Sequence, residues 1–121
     1  MQFKFDLIDL GRRAIRVLTS ADVRVALADD AIVGMMALTR NEIAGWIDHL
    51  YLLPCAVGKG IGTQFIKIAK TTLGSPIRLY TFQANDGARR FYERHGFHAI
   101  EFGDGSGNEE KCSDVLYEWQ L

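Results

Sequence analysis

The chain has 121 residues, 48% of them hydrophobic and 11% aromatic, which suits one compact domain with an adequate core and leaves little room for a second. Its 14 basic and 15 acidic side chains give a formal net charge of -1, so nothing favours a nucleic acid or an anionic membrane as partner, and a small molecule fits better. Two cysteines, Cys55 and Cys112, are too few for a disulfide framework and form no metal-like cluster with His49, His95 and His98, so reduced thiols and no metal are expected.

Met1 to Asp6 is broken by charge, and no stretch approaches the roughly 20 apolar residues that span a bilayer, so a cytoplasmic protein is expected. Phe3 to Leu18 carries Phe3, Leu7, Ile8, Leu10, Ala14, Ile15 and Leu18 near helical spacing, interrupted by Gly11, and predicts a helix. Val23 to Ala28 and Ala31 to Leu38 are apolar and partly β-branched, and Asp29-Asp30 between them predicts a hairpin. A longer third strand is expected from Ile43 to Leu53.

Gly60 to Thr72 sets Ile61, Phe65, Ile66, Ile68 and Ala69 on a helical stripe that stops at Gly74-Ser75-Pro76, before a short strand from Ile77 to Thr81. Asp86 opens a second helix to about His95, with Ala88, Phe91 and Tyr92 at three- and four-residue spacing and Gly96 at its end. Strands from Phe97 to Phe102 and Val115 to Trp119 follow, separated by a polar, glycine-rich connection from Gly103 to Lys111. This order gives an α+β fold, a mixed sheet with helices packed against it, in a single domain.

Val57-Gly58-Lys59-Gly60-Ile61-Gly62-Thr63 joins a strand to a helix, so its amides gather at a helix N-terminus. Glycines let the backbone approach phosphate oxygens, and the positive helix end favours negative charge, which makes a pyrophosphate the natural occupant. The spacing of Gly58, Gly60 and Gly62 fits neither a P-loop nor the dinucleotide fingerprint. The alternative is a tight turn into a helix with no ligand.

Asn85 to Phe97 supplies a second pattern, with Asn85 placed at the start of its helix, toward the same end as the glycine loop. With Gly58, Gly60 and Gly62, then Asn85, Ala88, Phe91, Tyr92, Gly96 and Phe97, the chain resembles the GNAT superfamily of N-acetyltransferases. That family's loop reads Gln/Arg-Gly-x-Gly-x-Gly/Ala and its next helix Asn-x-x-Ala-x-x-Phe-Tyr-x-x-x-Gly-Phe. The likeness runs from about Val23 to Phe102 and includes Leu50-Tyr51-Leu52-Leu53-Pro54 ahead of the loop. Two departures stand out: Val57 replaces the family's Gln or Arg, and the region before the first hairpin is shorter than the family's strand and two helices, which help build the acceptor site.

The resemblance implies a GNAT-like, mostly antiparallel mixed sheet and acetyl-CoA as co-substrate, held by Val57, Gly58, Lys59, Gly60, Ile61, Gly62 and Thr63. It implies direct attack of a primary amine on the thioester, with the backbone N–H near Leu52 polarising the acyl carbonyl. Tyr92 is the candidate general acid for the departing thiolate, or else a core aromatic. Asp48 and His49 are candidates for the base, and strand alternation expects only one of them to face the cleft. Asn85 either bonds the cofactor arm or caps its helix. The acceptor is expected to be a small-molecule or peptide amine, and the short N-terminal region leaves surface for a second subunit, so a homodimer is expected. A non-catalytic acyl-CoA-binding domain is the alternative reading.

Overall fold

Alternation in the sequence becomes alternation in space. In the computed structural model, which describes residues 4–9, 14–20 and 23–121, Arg24, Ala26 and Ala28 are buried while Val23, Val25 and Leu27 are half-buried, as in a strand with one face on the core. The elements in chain order are β1 (Lys4–Asp9), β2 (Ala14–Ser20), β3 (Val23–Ala28), β4 (Ala31–Arg40), β5 (Gly45–Leu52), α1 (Ile61–Leu73), β6 (Ile77–Phe82), α2 (Asp86–Arg94), β7 (His98–Phe102) and β8 (Asp114–Trp119). The strands form a mixed sheet in the order β1-β2-β3-β4-β5-β6-β8-β7. β5 and β6 pair in parallel, over Gly45↔Ile77 and Trp46↔Arg78, while the pairings of β1 with β2, β2 with β3, β3 with β4, β6 with β8 and β7 with β8 are antiparallel.

The helix expected from Phe3 to Leu18 is not formed. Residues 4–9 and 14–20 are strands, and the remaining positions of that stretch lie outside the described residues. Ile15, Val17 and Thr19 alternate along β2, and their branched Cβ atoms favour a pleated strand over a helical turn. The seven apolar positions fitted a helical period only loosely across Gly11. The hairpin at Asp29-Asp30 is as expected: both residues adopt positive φ, 51° and 64°, the left-handed pair that suits a two-residue turn between twisted strands.

The chain divides into two units, one of Met1–Thr39 with Ile47–Thr72 and one of Arg40–Trp46 with Leu73–Leu121. In the first, α1 turns Ile61, Phe65, Ile66 and Ala69 onto a core with Ala26, Met36, Leu38 and Ile47. Phe65 is fully buried, and such a ring contributes about 2–3 kcal/mol by leaving water. Arg24 is also buried and donates from Nη2 to Thr72 Oγ1 at 3.4 Å. In the second unit Ala44, Leu73, Ile77, Leu79, Tyr92, Phe97, Val115, Leu116 and Tyr117 form the core.

Candidate active site

The glycine loop follows directly from how the chain leaves β5. Leu53 donates its N–H to Val33 O at 2.9 Å, which ties the strand end to β4, and Pro54–Ala56 then forms one 3-10 turn. Val57 closes that turn by donating to Pro54 O at 3.4 Å, so its amide is already engaged and its side chain is exposed. Gly58 and Gly60 sit at φ +78° and +83°, with Lys59 between them outside the left-handed region. Alternating hands turn successive N–H groups toward one side, the form of an anion-binding nest.

No acceptor among the described residues takes the N–H of Gly58, Lys59, Gly60, Ile61 or Gly62, and Gln64 N–H donates to Gly60 O at 3.1 Å. The first turn of α1 contains no acidic residue that would neutralise its positive end. Five consecutive amides and an uncompensated helix dipole suit a pyrophosphate. Lys59 is exposed beside them, and Thr63 is half-buried in the first turn of the helix.

On β5 the buried positions are Gly45 and Ile47, but the half-buried ones further on are Leu50 and Leu52, so the alternation slips between. Both Asp48 and His49 are therefore exposed, where simple alternation expected one. Asp48 Oδ2 accepts from Thr39 Oγ1 at 2.6 Å, and the His49 ring stacks on Tyr51 at 5.8 Å. The parallel ladder with β6 covers only Gly45 and Trp46 of β5, so the edge of β5 from Ile47 to Leu52 lies beyond it.

In the second unit Asn85 is the N-cap of α2: its Oδ1 accepts from Ala88 N at 3.1 Å. The side-chain amide of Asn85 donates to no described residue. The helix ends in a Schellman motif, with Phe97 N–H bonded to Tyr92 O at 3.0 Å, Gly96 N–H to Glu93 O at 3.1 Å, and Gly96 at φ +90°. The apolar contact that accompanies such a cap is Tyr92 against Phe97, ring centroids 5.9 Å apart.

Tyr92 is buried, and burial pushes its phenol up to about 12. Trp46 Nε1 is the single fully buried side-chain polar atom without a partner among the described residues, and no hydrogen bond is formed by the Tyr92 hydroxyl, so that hydroxyl keeps some contact with solvent. A neutral donor with its ring sealed in and its tip open can donate a hydrogen bond to an anion. Full proton transfer from such a phenol to a thiolate of cysteine-like basicity, about 8.5, is uphill by about 5 kcal/mol.

Sequence reasoning missed Tyr117. It is fully buried on β8, donates to Glu93 Oε2 at 2.6 Å, and accepts from Arg89 Nε at 3.1 Å. The four-residue spacing of Arg89 and Glu93 was the one local signal; the partner lies more than 20 residues away. Arg89 is held by that bond and by a second to Gln83 O at 3.3 Å. Donating to the Tyr117 hydroxyl, together with the nearby Tyr117, Glu93 and Asp86 charges, raises the Arg89 pKa. Cys55 and Cys112 are both exposed free thiols. Among the described residues no group of three His, Cys, Asp or Glu is placed to hold a metal, and no helix is long and apolar enough to cross a membrane.

The family model described as the acetyltransferase (GNAT) domain matches residues 19–99, two thirds of the chain. The chain belongs to the GNAT acetyltransferase family. Its fold is similar to that of Arabidopsis thaliana Naa50, solved with the bisubstrate analogue CoA-Ac-MVNAL, at 22% identity and TM-score 0.69, covering 82% of this chain and 72% of that one. It is similar to nourseothricin acetyltransferase at 15% identity and TM-score 0.72, covering 98% and 84%. It is also similar to the PaiA N-acetyltransferase of Thermoplasma acidophilum, solved with coenzyme A, at 28% identity and TM-score 0.64, covering 83% and 62%. No match is found among curated protein sequences. Membership makes the chain an acetyltransferase domain.

Proposed function

We propose that the chain transfers an acetyl group from acetyl-CoA to a primary amine by direct attack on the thioester. The observation that carries this is the run of unpaired amides from Gly58 to Gly62 at the N-terminus of α1. These amides, that of the buried Ile61 among them, take the pyrophosphate; Lys59 adds charge, Thr63 a hydroxyl, and the exposed Val57 side chain apolar surface. The amide near Leu52 polarises the acyl carbonyl, on the β5 edge that lies beyond the parallel ladder. Asn85 donates from its side-chain amide to the cofactor arm.

Tyr92 donates to the departing sulfur. Either Asp48, through the carboxylate oxygen not bonded to Thr39, or His49 removes the amine proton, and Asp48→Asn and His49→Gln separate the two. The chain is read as a single acyl-CoA-binding domain, with the family model spanning residues 19–99. The acceptor is a small-molecule or peptide amine; both kinds of substrate are represented in the names of similar folds. Exposed thiols suit the reducing cytoplasm, and exposed Tyr80, Phe82 and Ile100 offer apolar surface for a homodimer.

Isothermal titration with acetyl-CoA tests the reading. Saturable binding that Gly60→Asp abolishes and Tyr92→Phe spares is expected. Failure of the wild-type protein to bind overturns it. Binding without turnover on any amine leaves an acyl-CoA-binding domain instead, and a monomeric mass by light scattering at micromolar concentration removes the dimer.

A further inference from the structure

We propose that Tyr117 is a positioning residue for Tyr92. The inference rests on the reading of Tyr92 as the donor to the departing sulfur. The Tyr92 hydroxyl has no hydrogen bond among the described residues to fix it, so its place is set by how α2 lies on β8. Two helix residues adjoining Tyr92 in space, Arg89 one turn earlier and Glu93 next in sequence, both bond the same atom, the Tyr117 hydroxyl, at 3.1 and 2.6 Å. The hydroxyl accepts from one and donates to the other, so rolling or sliding α2 on the strand breaks both bonds together. The Tyr117 ring itself lies against Tyr92, centroids 6.3 Å apart.

The start of the helix is tied to the same strand. Arg89 Nη1 donates to Gln83 O at 3.3 Å, Gln83 Nε2 donates to Asp114 O at 2.8 Å and Gly103 O at 2.9 Å, and Gln83 N–H donates to Ser113 O at 2.9 Å. A phenylalanine at 117 fills the same core volume, so packing alone does not call for the hydroxyl. What the hydroxyl adds is registry: one rotational setting of α2, and with it one place for the Tyr92 tip. Misplacement by about 1 Å costs up to about a hundredfold in rate.

The test uses the full chain with carbon-13 at the Cζ of its 4 tyrosines, the Tyr92 signal assigned from Tyr92→Phe, and coenzyme A as the probe. In the wild type, saturation with coenzyme A moves the Tyr92 signal. In Tyr117→Phe that movement falls by about half or more, because α2 no longer holds one setting, while the exposed Tyr51 and Tyr80 signals stay in place and report an intact fold. Glu93→Gln, which keeps an acceptor oxygen, retains the movement; Glu93→Ala loses it and serves if Tyr117→Phe does not fold. With a turnover assay in hand, Tyr117→Phe lowers kcat about tenfold and leaves KM for acetyl-CoA within about twofold, and the loss disappears in a Tyr92→Phe background. Equal movement in wild type and Tyr117→Phe overturns the positioning role and leaves the Tyr92 reading standing. A wild-type Tyr92 signal that bound coenzyme A does not move sinks the reading, and the inference with it.

Discussion

Gly58→Ala isolates the backbone of the phosphate nest from every other effect. Gly58 has φ +78°, and a Cβ built there meets nothing within 4 Å, so the substitution adds no clash and costs only the left-handed torsion. That torsion costs an L-residue about 1–2 kcal/mol, equivalent to about a 5- to 30-fold change in an equilibrium constant. The cost falls on stability if the loop keeps its shape in the free protein, and on affinity if it relaxes until ligand arrives. Val57 to Gly60 are all exposed, and among the described residues the loop is tied by the Val57 to Pro54 bond at 3.4 Å and the Gln64 to Gly60 bond at 3.1 Å, neither of which involves Gly58, so most of the loss belongs to affinity. Titration calorimetry with acetyl-CoA and thermal unfolding are measured on the same samples, with Gly107→Ala, also free of contacts within 4 Å, as a control expected to change neither. Unchanged Kd and unchanged Tm in Gly58→Ala refute the claim that the left-handed nest holds the pyrophosphate.

Tyr92→Phe keeps the buried ring and removes a hydroxyl that bonds no described residue, so it changes stability by less than about 1 kcal/mol while lowering kcat about 10- to 100-fold at unchanged acetyl-CoA affinity. The Tyr92 phenol stands at about 12 in the fold against 10.0 free, so its contribution to stability is fully present below pH 10 and is lost between pH 10 and 12. Alkaline unfolding of wild type therefore falls more steeply in that window than that of Tyr92→Phe, and parallel curves count against the burial. By the same token no descending limb of a pH–rate profile below pH 10 belongs to Tyr92. Gly45→Ala places a Cβ 2.7 Å from Leu73 Cβ, and overpacking of about 1–3 kcal/mol lowers Tm; an unchanged Tm contradicts the packing described.

The parts of the fold legible in the sequence are those fixed by local chemistry. Asp29-Asp30 is readable because few residues accept two left-handed positions in a row, and Gly74 and Gly96 mark the ends of α1 and α2 at φ +68° and +90°. The glycine loop is readable for the same reason. The helical period expected over Phe3 to Leu18 is mimicked by Leu7 and Ile8 of β1 with Ala14, Ile15 and Leu18 of β2, while Phe3 and Leu10 lie outside the described residues; β2 pairs instead with β1 and β3. The slip in β5 that exposes both Asp48 and His49 is encoded by no spacing within Ile43 to Leu53. Asn85 shows a local role and a proposed ligand role sharing one side chain, its oxygen on the helix and its amide left over. Tyr117, buried and bonded across more than 20 residues, is invisible to any window of the sequence.

The most direct measurement of the central claim is mass spectrometry of a panel of amines, polyamines, aminoglycosides, lysine side chains and peptide N-termini, incubated with the protein and acetyl-CoA. The account predicts a nitrogen-acetylated product from at least one class, formed with release of one free thiol per acetyl group and suppressed in Gly60→Asp. Saturable acetyl-CoA binding with no acetylated amine in any class contradicts it.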